Sequence, residues 1–252
     1  MSRPVLLLDL DGTVLDDHKR LYGEFLELLP YLKRRYDIVV ASGRSKYSVE
    51  RYLREMDLPP KYVSFEGAYV VWNGEVLYDH PFDEGTLKAL LEEYGHLPTV
   101  LFHLHRVVPN ERFMREFSEY LARWSADQIG PEDSGIYKVV FAKKDGPDNP
   151  PAERMKGTVF VYKRRGTDHL FYDVAPPGTG KVKGVRLLFE RLGIDPVRCV
   201  AIGDYYNDVG LFRMCGLSVA VPKAPEEVKR EAKLVGWPWD RHVREALLSG
   251  VR

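Results

Sequence analysis

Asp9-Leu10-Asp11-Gly12-Thr13 stands where the apolar run Val5 to Leu8 ends. In an extended chain Asp9 and Asp11 project to one side while Leu10 points away, and Gly12 lets the backbone turn sharply. Two carboxylates so placed repel each other unless a cation or a shared proton intervenes, and a hard ion such as Mg²⁺ is their natural complement. A surface Asp-Gly turn is written in the same letters. A second acidic pair, Asp204 and Asp208, lies within Gly203-Asp204-Tyr205-Tyr206-Asn207-Asp208, after the apolar run Cys199 to Ile202. At a strand-to-helix turn that spacing lets both carboxylates reach one ion or one lysine. An N-cap aspartate followed by a first-turn aspartate is the plainer alternative. Lys181 opens a helical pattern in which Val185, Leu188 and Leu192 share a phase, and Lys183 is the other lysine near that helix start.

Residues 1 to about 80 alternate strand and helix signals, the rhythm of a parallel sheet. The apolar runs Val5 to Leu8, Ile38 to Val40 and Tyr62 to Phe65 read as strands. Leu21, Phe25, Leu28, Leu29 and Leu32 form one helical stripe, with Pro30 as a potential break. Val70 to Trp72 and Val76 to Tyr78 flank Asn73-Gly74, a dipeptide that supplies the positive φ angles of a hairpin turn. From 81 to 169 the pattern is mixed. Helical stretches Glu84 to Tyr94 and Glu111 to Trp124 intersperse with strand-like Val100 to His105, Tyr137 to Ala142 and Val159 to Lys163. The stripe Phe113, Phe117, Tyr120, Leu121 and Trp124 reads as core. Alternation returns after about 170, so the chain reads as an α/β core, residues 1–80 and 170–252, interrupted by an α+β insert, residues 81–169.

An apolar strand closed by DLDGT resembles the first motif of the haloacid dehalogenase superfamily of phosphohydrolases. Val39-Val40-Ala41-Ser42-Gly43-Arg44 is similar to its second motif, Lys181 to its third and Gly203 to Asp208 to its fourth, in the expected order. The large insert between the second and third motifs resembles the C2-capped (type IIB) group and its Cof-type or sucrose-phosphatase-like branch. The resemblance implies a Rossmann-like parallel-sheet core with an inserted cap that excludes water and reads the leaving group. It also implies a Mg²⁺-dependent phosphatase acting on a small phosphate monoester, such as a sugar phosphate or phosphoglycolate. On that resemblance Asp9 is the nucleophile that becomes an aspartyl-phosphate, and Asp11 is the acid and then the base. Mg²⁺ falls to Asp9, the Asp11 main chain and Asp204, with Asp208 steadying either this shell or Lys181. The substrate's phosphate falls to Gly12, Ser42, Gly43, Arg44, Lys181 and Asn207. A hydroxyl and backbone N–H groups where a strand gives way to a helix suit that task, although Ser42 also reads as an ordinary N-cap. Two departures bear on substrate choice. Glu66 stands where the branch usually has asparagine, and Tyr205 where it usually has glycine.

A phosphosugar mutase or phosphotransferase would use the same scaffold. Ala175 to Lys181 also imitates a P-loop NTPase, but Val182 then offers no hydroxyl for the metal, and DLDGT has no task. In the insert, His103 and His105 are expected on a solvent face and Lys163, Arg164 and Arg165 at a solvated hairpin end; Arg106 completes the basic candidates there. With 37 Lys+Arg against 37 Asp+Glu, the 252-residue chain carries no net charge, which argues against the phosphate backbone of nucleic acid as main partner. No apolar stretch is long enough to span a bilayer, so a cytoplasmic protein without a membrane partner is expected, working alone or as a homodimer. Cys199 and Cys215 belong to no CxxC pair and read as buried thiols in a reducing compartment.

Overall fold

The computed structural model describes residues 3–121, 135–163 and 167–249. In chain order the first elements are β1 (Val5–Leu8), α1 (Gly23–Arg35), β2 (Asp37–Ala41), α2 (Lys46–Glu55), β3 (Tyr62–Ser64), β4 (Tyr69–Trp72) and β5 (Glu75–Asp79). There follow α3 (Glu84–Tyr94), β6 (Thr99–His103), β7 (Val107–Pro109), α4 (Glu111–Glu116), α5 (Ser118–Leu121), β8 (Ile136–Lys144), β9 (Thr158–Lys163) and β10 (His169–Ala175). The last are α6 (Lys181–Leu192), β11 (Val200–Gly203), α7 (Val209–Met214), β12 (Leu217–Ala220), α8 (Glu226–Lys229), β13 (Leu234–Val235) and α9 (Arg241–Ser249). No described helix is long and apolar enough to cross a membrane.

The chain divides into two compact units, one of Met1–Arg44, Ser48–Tyr78 and Gly180–Arg252, the other of Ser45–Tyr47 and Asp79–Thr179. The first is built on a sheet of order β13-β12-β11-β1-β2-β3-β4-β5. β1 pairs in parallel with both β11 and β2, Leu8 lying opposite Ile202 on one side and Val40 on the other. Strands buried on both faces need continuous apolar runs, and Val5 to Leu8 and Val200 to Ile202 are all at most 2% exposed. Val185, Leu188 and Phe189 of α6 pack with Leu7, Val39 and Ala201 in one apolar cluster, which fixes the helix against the sheet. Pro30 does not break α1. It lies on the exposed side of the helix, where the single bond it cannot donate would have gone to the carbonyl of Leu26, itself 41% exposed. The hairpin forms at Asn73 and Gly74, with φ of 51° and 86°.

The second unit has its own sheet, β7-β6-β8-β10-β9, packed with α3 around Leu90, Tyr94, Val139, Phe141, Tyr172 and Val174. β10 has no counterpart among the strands expected from the sequence. It lies between β8 and β9, so this unit continues to Thr179, past the boundary expected near 170. The helix expected over Glu111 to Trp124 is interrupted at Phe117, which leaves helical geometry at φ −132°, ψ 38°. Its Phe113 and Phe117 rings are buried 5.0 Å apart as expected; the side chains of Tyr120 and Leu121, and Trp124, lie outside the described residues. His103 is buried at 2% exposure, not on a solvent face, and β6 ends there, so exposed His105 sits on the following turn. Lys163 is exposed beside Asp145 at 3.0 Å; Arg164 and Arg165 lie outside the described residues. Cys199 and Cys215 are buried free thiols, and burial pushes them up to about 11 and about 12.

Candidate active site

Parallel strands end on the same edge of a sheet, so whatever follows β1, β2 and β11 is gathered there. Asp9 follows β1 and donates its N–H to the Ile202 carbonyl at 3.0 Å. Ser42 follows β2, buried, its N–H on the Val63 carbonyl at 2.9 Å. Asp204 follows β11, and its carboxylate comes up against Gly12. Gly12 has φ +73°, which favours glycine, and a Cβ there would lie 2.1 Å from Asp204 Oδ2 and displace that carboxylate. Lys181, the first residue of α6, directs its ammonium back to this edge. Nζ donates to Asp9 Oδ1 at 2.8 Å and to Asp208 Oδ1 at 2.7 Å, and all three residues are buried. Lys183 is exposed, which decides between the two lysines.

The remaining oxygens have duties of their own. Thr13, fully buried, donates its hydroxyl to Asp9 Oδ2 at 3.2 Å. Asp208 Oδ2 accepts the backbone N–H groups of Asp204 at 3.0 Å and Tyr205 at 3.2 Å. Asp208 thus ties the loop after β11 to Lys181, the second of the two tasks open to it from its spacing. Oxygens of Asp9, Asp204 and Asp208 lie within 4.8 Å of one another. Burial raises the proton affinity of Asp9 well above the ordinary carboxylate range, against the pull of Lys181 and with the repulsion of Asp208 and Asp204. Asp204 is pushed up to about 7 by burial and by Asp208. Burial opposes the charge on Lys181, but Asp208, Asp9 and Glu66 outweigh it and hold the ammonium protonated. Several carboxylates around one ammonium leave an excess of buried negative charge, and an all-oxygen donor set suits a hard divalent cation. Asp9, Asp204 and Asp208 each bring an oxygen close enough to share such an ion, and Asp208 is in addition tied to Lys181 and to its own loop.

A second group of contacts surrounds Asp11. Arg44 grips its carboxylate through Nε at 2.5 Å and Nη2 at 2.7 Å, and Lys19 adds a bond at 2.6 Å. Burial would raise Asp11, but these cations hold it well below the usual carboxylate range. Arg44 also lies over the Tyr52 ring at 5.0 Å, while the Tyr52 hydroxyl donates to the Lys19 carbonyl at 2.8 Å. In this arrangement Arg44 serves Asp11 instead of presenting its fork to a phosphate. Asn207 likewise gives its amide to Glu66, at 3.2 and 3.4 Å. Sequence reasoning assigned no task to Thr13 or Lys19. Thr13 was visible within DLDGT, whereas Lys19 has only charge and proximity along the chain to mark it, and a left-handed backbone at φ 63° turns it back.

A family model described as haloacid dehalogenase-like hydrolase matches residues 6–238. Phosphoglycolate phosphatase of Methanopyrus kandleri is 26% identical, over 92% of this chain and 89% of that protein. A crystal structure of a hypothetical protein from Geobacillus kaustophilus HTA426 superposes with a TM-score of 0.78 at 29% identity, covering 93% of both chains. The HAD subclass IIB sugar phosphatase BT4131 shares the fold, with a TM-score of 0.68 at 22% identity over 95% of both chains. The family match takes in the acidic edge of the sheet, Lys181 and all of the chain between them, and the chain belongs to the haloacid dehalogenase-like hydrolases.

Proposed function

We propose that the protein is a Mg²⁺-dependent phosphatase that hydrolyses a small phosphate monoester through an aspartyl-phosphate on Asp9. The observation that carries this reading is the Asp9–Lys181–Asp208 chain of contacts at the edge of the parallel sheet. It holds one carboxylate oxygen of Asp9 beside a buried ammonium, while Thr13 orients the other. An Asp9 oxygen attacks phosphorus as the bond to the leaving oxygen breaks, and Asp11 delivers the proton that the leaving oxygen takes. Water then attacks the phosphorus of the acyl phosphate, Asp11 accepts its proton, and Asp9 is regenerated as phosphate departs. Asp11 is held by Arg44 and Lys19 in the carboxylate form this second half requires; for the first half it must leave Arg44 with a proton.

Asp9, Asp204 and the main-chain carbonyl of Asp11 would hold Mg²⁺. Bound there, it supplies positive charge that offsets the repulsion between the anionic nucleophile and the anionic ester. Ser42, the Gly43 amide and Lys181 serve the phosphoryl oxygens. Two of the three Lys181 N–H groups go to Asp9 and Asp208, which leaves the third for a phosphoryl oxygen, and Val182 lacks the hydroxyl that follows the lysine of a P-loop.

The test is phosphate release across sugar phosphates, phosphoglycolate, nucleotides and pyridoxal phosphate, with Mg²⁺ and with chelator. Release from at least one ester, dependent on Mg²⁺ and abolished in a folded Asp9→Asn variant, is expected. Full activity in Asp9→Asn would end the nucleophile assignment. Conversion of a sugar phosphate to its isomer without free phosphate would favour a mutase.

A further inference from the structure

Phe65, Glu66 and Gly67 occupy left-handed backbone in succession, at φ 49°, 52° and 88°. Two non-glycine residues in that region cost about 1–2 kcal/mol each, a strain that persists where the surroundings hold it and that clusters at functional sites. What the strain achieves here is the placement of one side chain. Glu66 is 7% exposed, and its carboxylate is carried under the turn of Ser42 and Gly43: a Cβ at Gly43 would lie 1.9 Å from Glu66 Oε1. Asn207 donates to both Glu66 oxygens, and the negative charge is felt at Lys181. The turn is pinned to the same loop by the Phe65 N–H on the Arg44 carbonyl at 2.9 Å. Glu66 therefore adds a fixed anion beside the residues proposed to hold the phosphoryl group.

We propose that Glu66 is a specificity-determining residue that turns the site against esters carrying a second anionic group near the phosphate and towards those carrying a hydroxyl or ammonium there. This rests on the phosphatase reading and deepens it. The phosphoryl group is common to all substrates, so its own repulsion by Glu66 cancels in any comparison. The charge on the rest of the ester does not cancel, because the carboxylate sits where water is largely excluded and screening is weak. A carboxylate on the carbon next to the ester carbon meets repulsion, and an ammonium at the same distance meets attraction.

Three esters with a common P–O–C–C skeleton isolate this effect: phosphoglycolate, 2-hydroxyethyl phosphate and phosphoethanolamine. Each is compared in the full-length wild type and in Glu66→Gln, by kcat/KM where it is turned over and otherwise by Ki against p-nitrophenyl phosphate hydrolysis. Wild type should prefer phosphoethanolamine to phosphoglycolate. Glu66→Gln should shrink that preference at least about tenfold, mainly through KM or Ki, as expected for loss of one unscreened charge. Glu66→Asn, whose side chain tolerates left-handed backbone, repeats the test if the glutamine variant folds poorly. A merely structural role would scale all three esters alike. An unchanged ratio, or a wild type that prefers phosphoglycolate, overturns the proposal. A wild type with no Mg²⁺-dependent hydrolysis of any monoester overturns the phosphatase reading instead.

Discussion

Stripping divalent cations from the protein and raising the pH should destabilise it, and the size of the effect follows from Asp204. In the cation-free fold Asp204 keeps its proton up to about pH 7, because it is buried beside Asp208, against 3.8 for an unperturbed carboxyl. Between those values the folded chain binds a proton that the unfolded chain has lost, so stability is fullest below about pH 4 for this group and falls as pH rises to about 7. At 1.36 kcal/mol per pH unit the loss is at most about 4 kcal/mol. For a chain of this size that lowers Tm by on the order of 10 °C. Asp9, raised in the same direction by burial, adds to the loss. The assay is thermal unfolding from pH 5 to 9 in chelator and again in millimolar Mg²⁺. Mg²⁺ should restore Tm far more at pH 8 than at pH 5, and calorimetry near pH 6 should show protons released as the ion binds. Asp204→Asn should remove the part of the slope that runs from pH 5 up to about pH 7. A Tm that is flat with pH in chelator, or a slope unchanged in Asp204→Asn, would refute the reasoning.

Lys181→Met leaves Asp9, Asp204 and Asp208 in place without their ammonium, and about 3–5 kcal/mol should be lost at neutral pH, less at pH 5, by denaturant unfolding; an unchanged midpoint would contradict the central role given to Lys181. Arg44→Ala or Lys19→Met removes a cation that holds Asp11 below the usual range. In either variant the alkaline limb of kcat/KM, set by loss of the proton that Asp11 gives the leaving oxygen, should move to higher pH as Asp11 regains its proton affinity, and an unmoved limb would separate Asp11 from the proton-transfer steps.

The local letters already carried the order of the site. A buried parallel strand needs an unbroken apolar run, and such runs end visibly at Asp9, Ser42 and Gly203. Lys181 could be placed at a helix start from the phase of Val185, Leu188 and Leu192 alone. Other features were not legible because they depend on side chains meeting across the sheet. β10 was hidden because Leu170, Phe171 and Tyr172 are cut off by Asp173 without a strand's alternation, and the stretch gains its meaning only between β8 and β9. Pro30 looked like a break because propensity says nothing of which carbonyls face water.

What the sequence by itself determined is the set of chemical groups and the strand ends that carry them, since period and apolar runs are local properties of the chain. What only the tertiary structure decided is how those groups share their charges. Asp208 serves Lys181 and its own loop, Arg44 and Lys19 hold Asp11, and Asn207 is turned to Glu66. Each of those pairings is a choice among several oppositely charged or hydrogen-bonding partners. Distance and burial make that choice, and both exist only once strands far apart in the chain lie side by side.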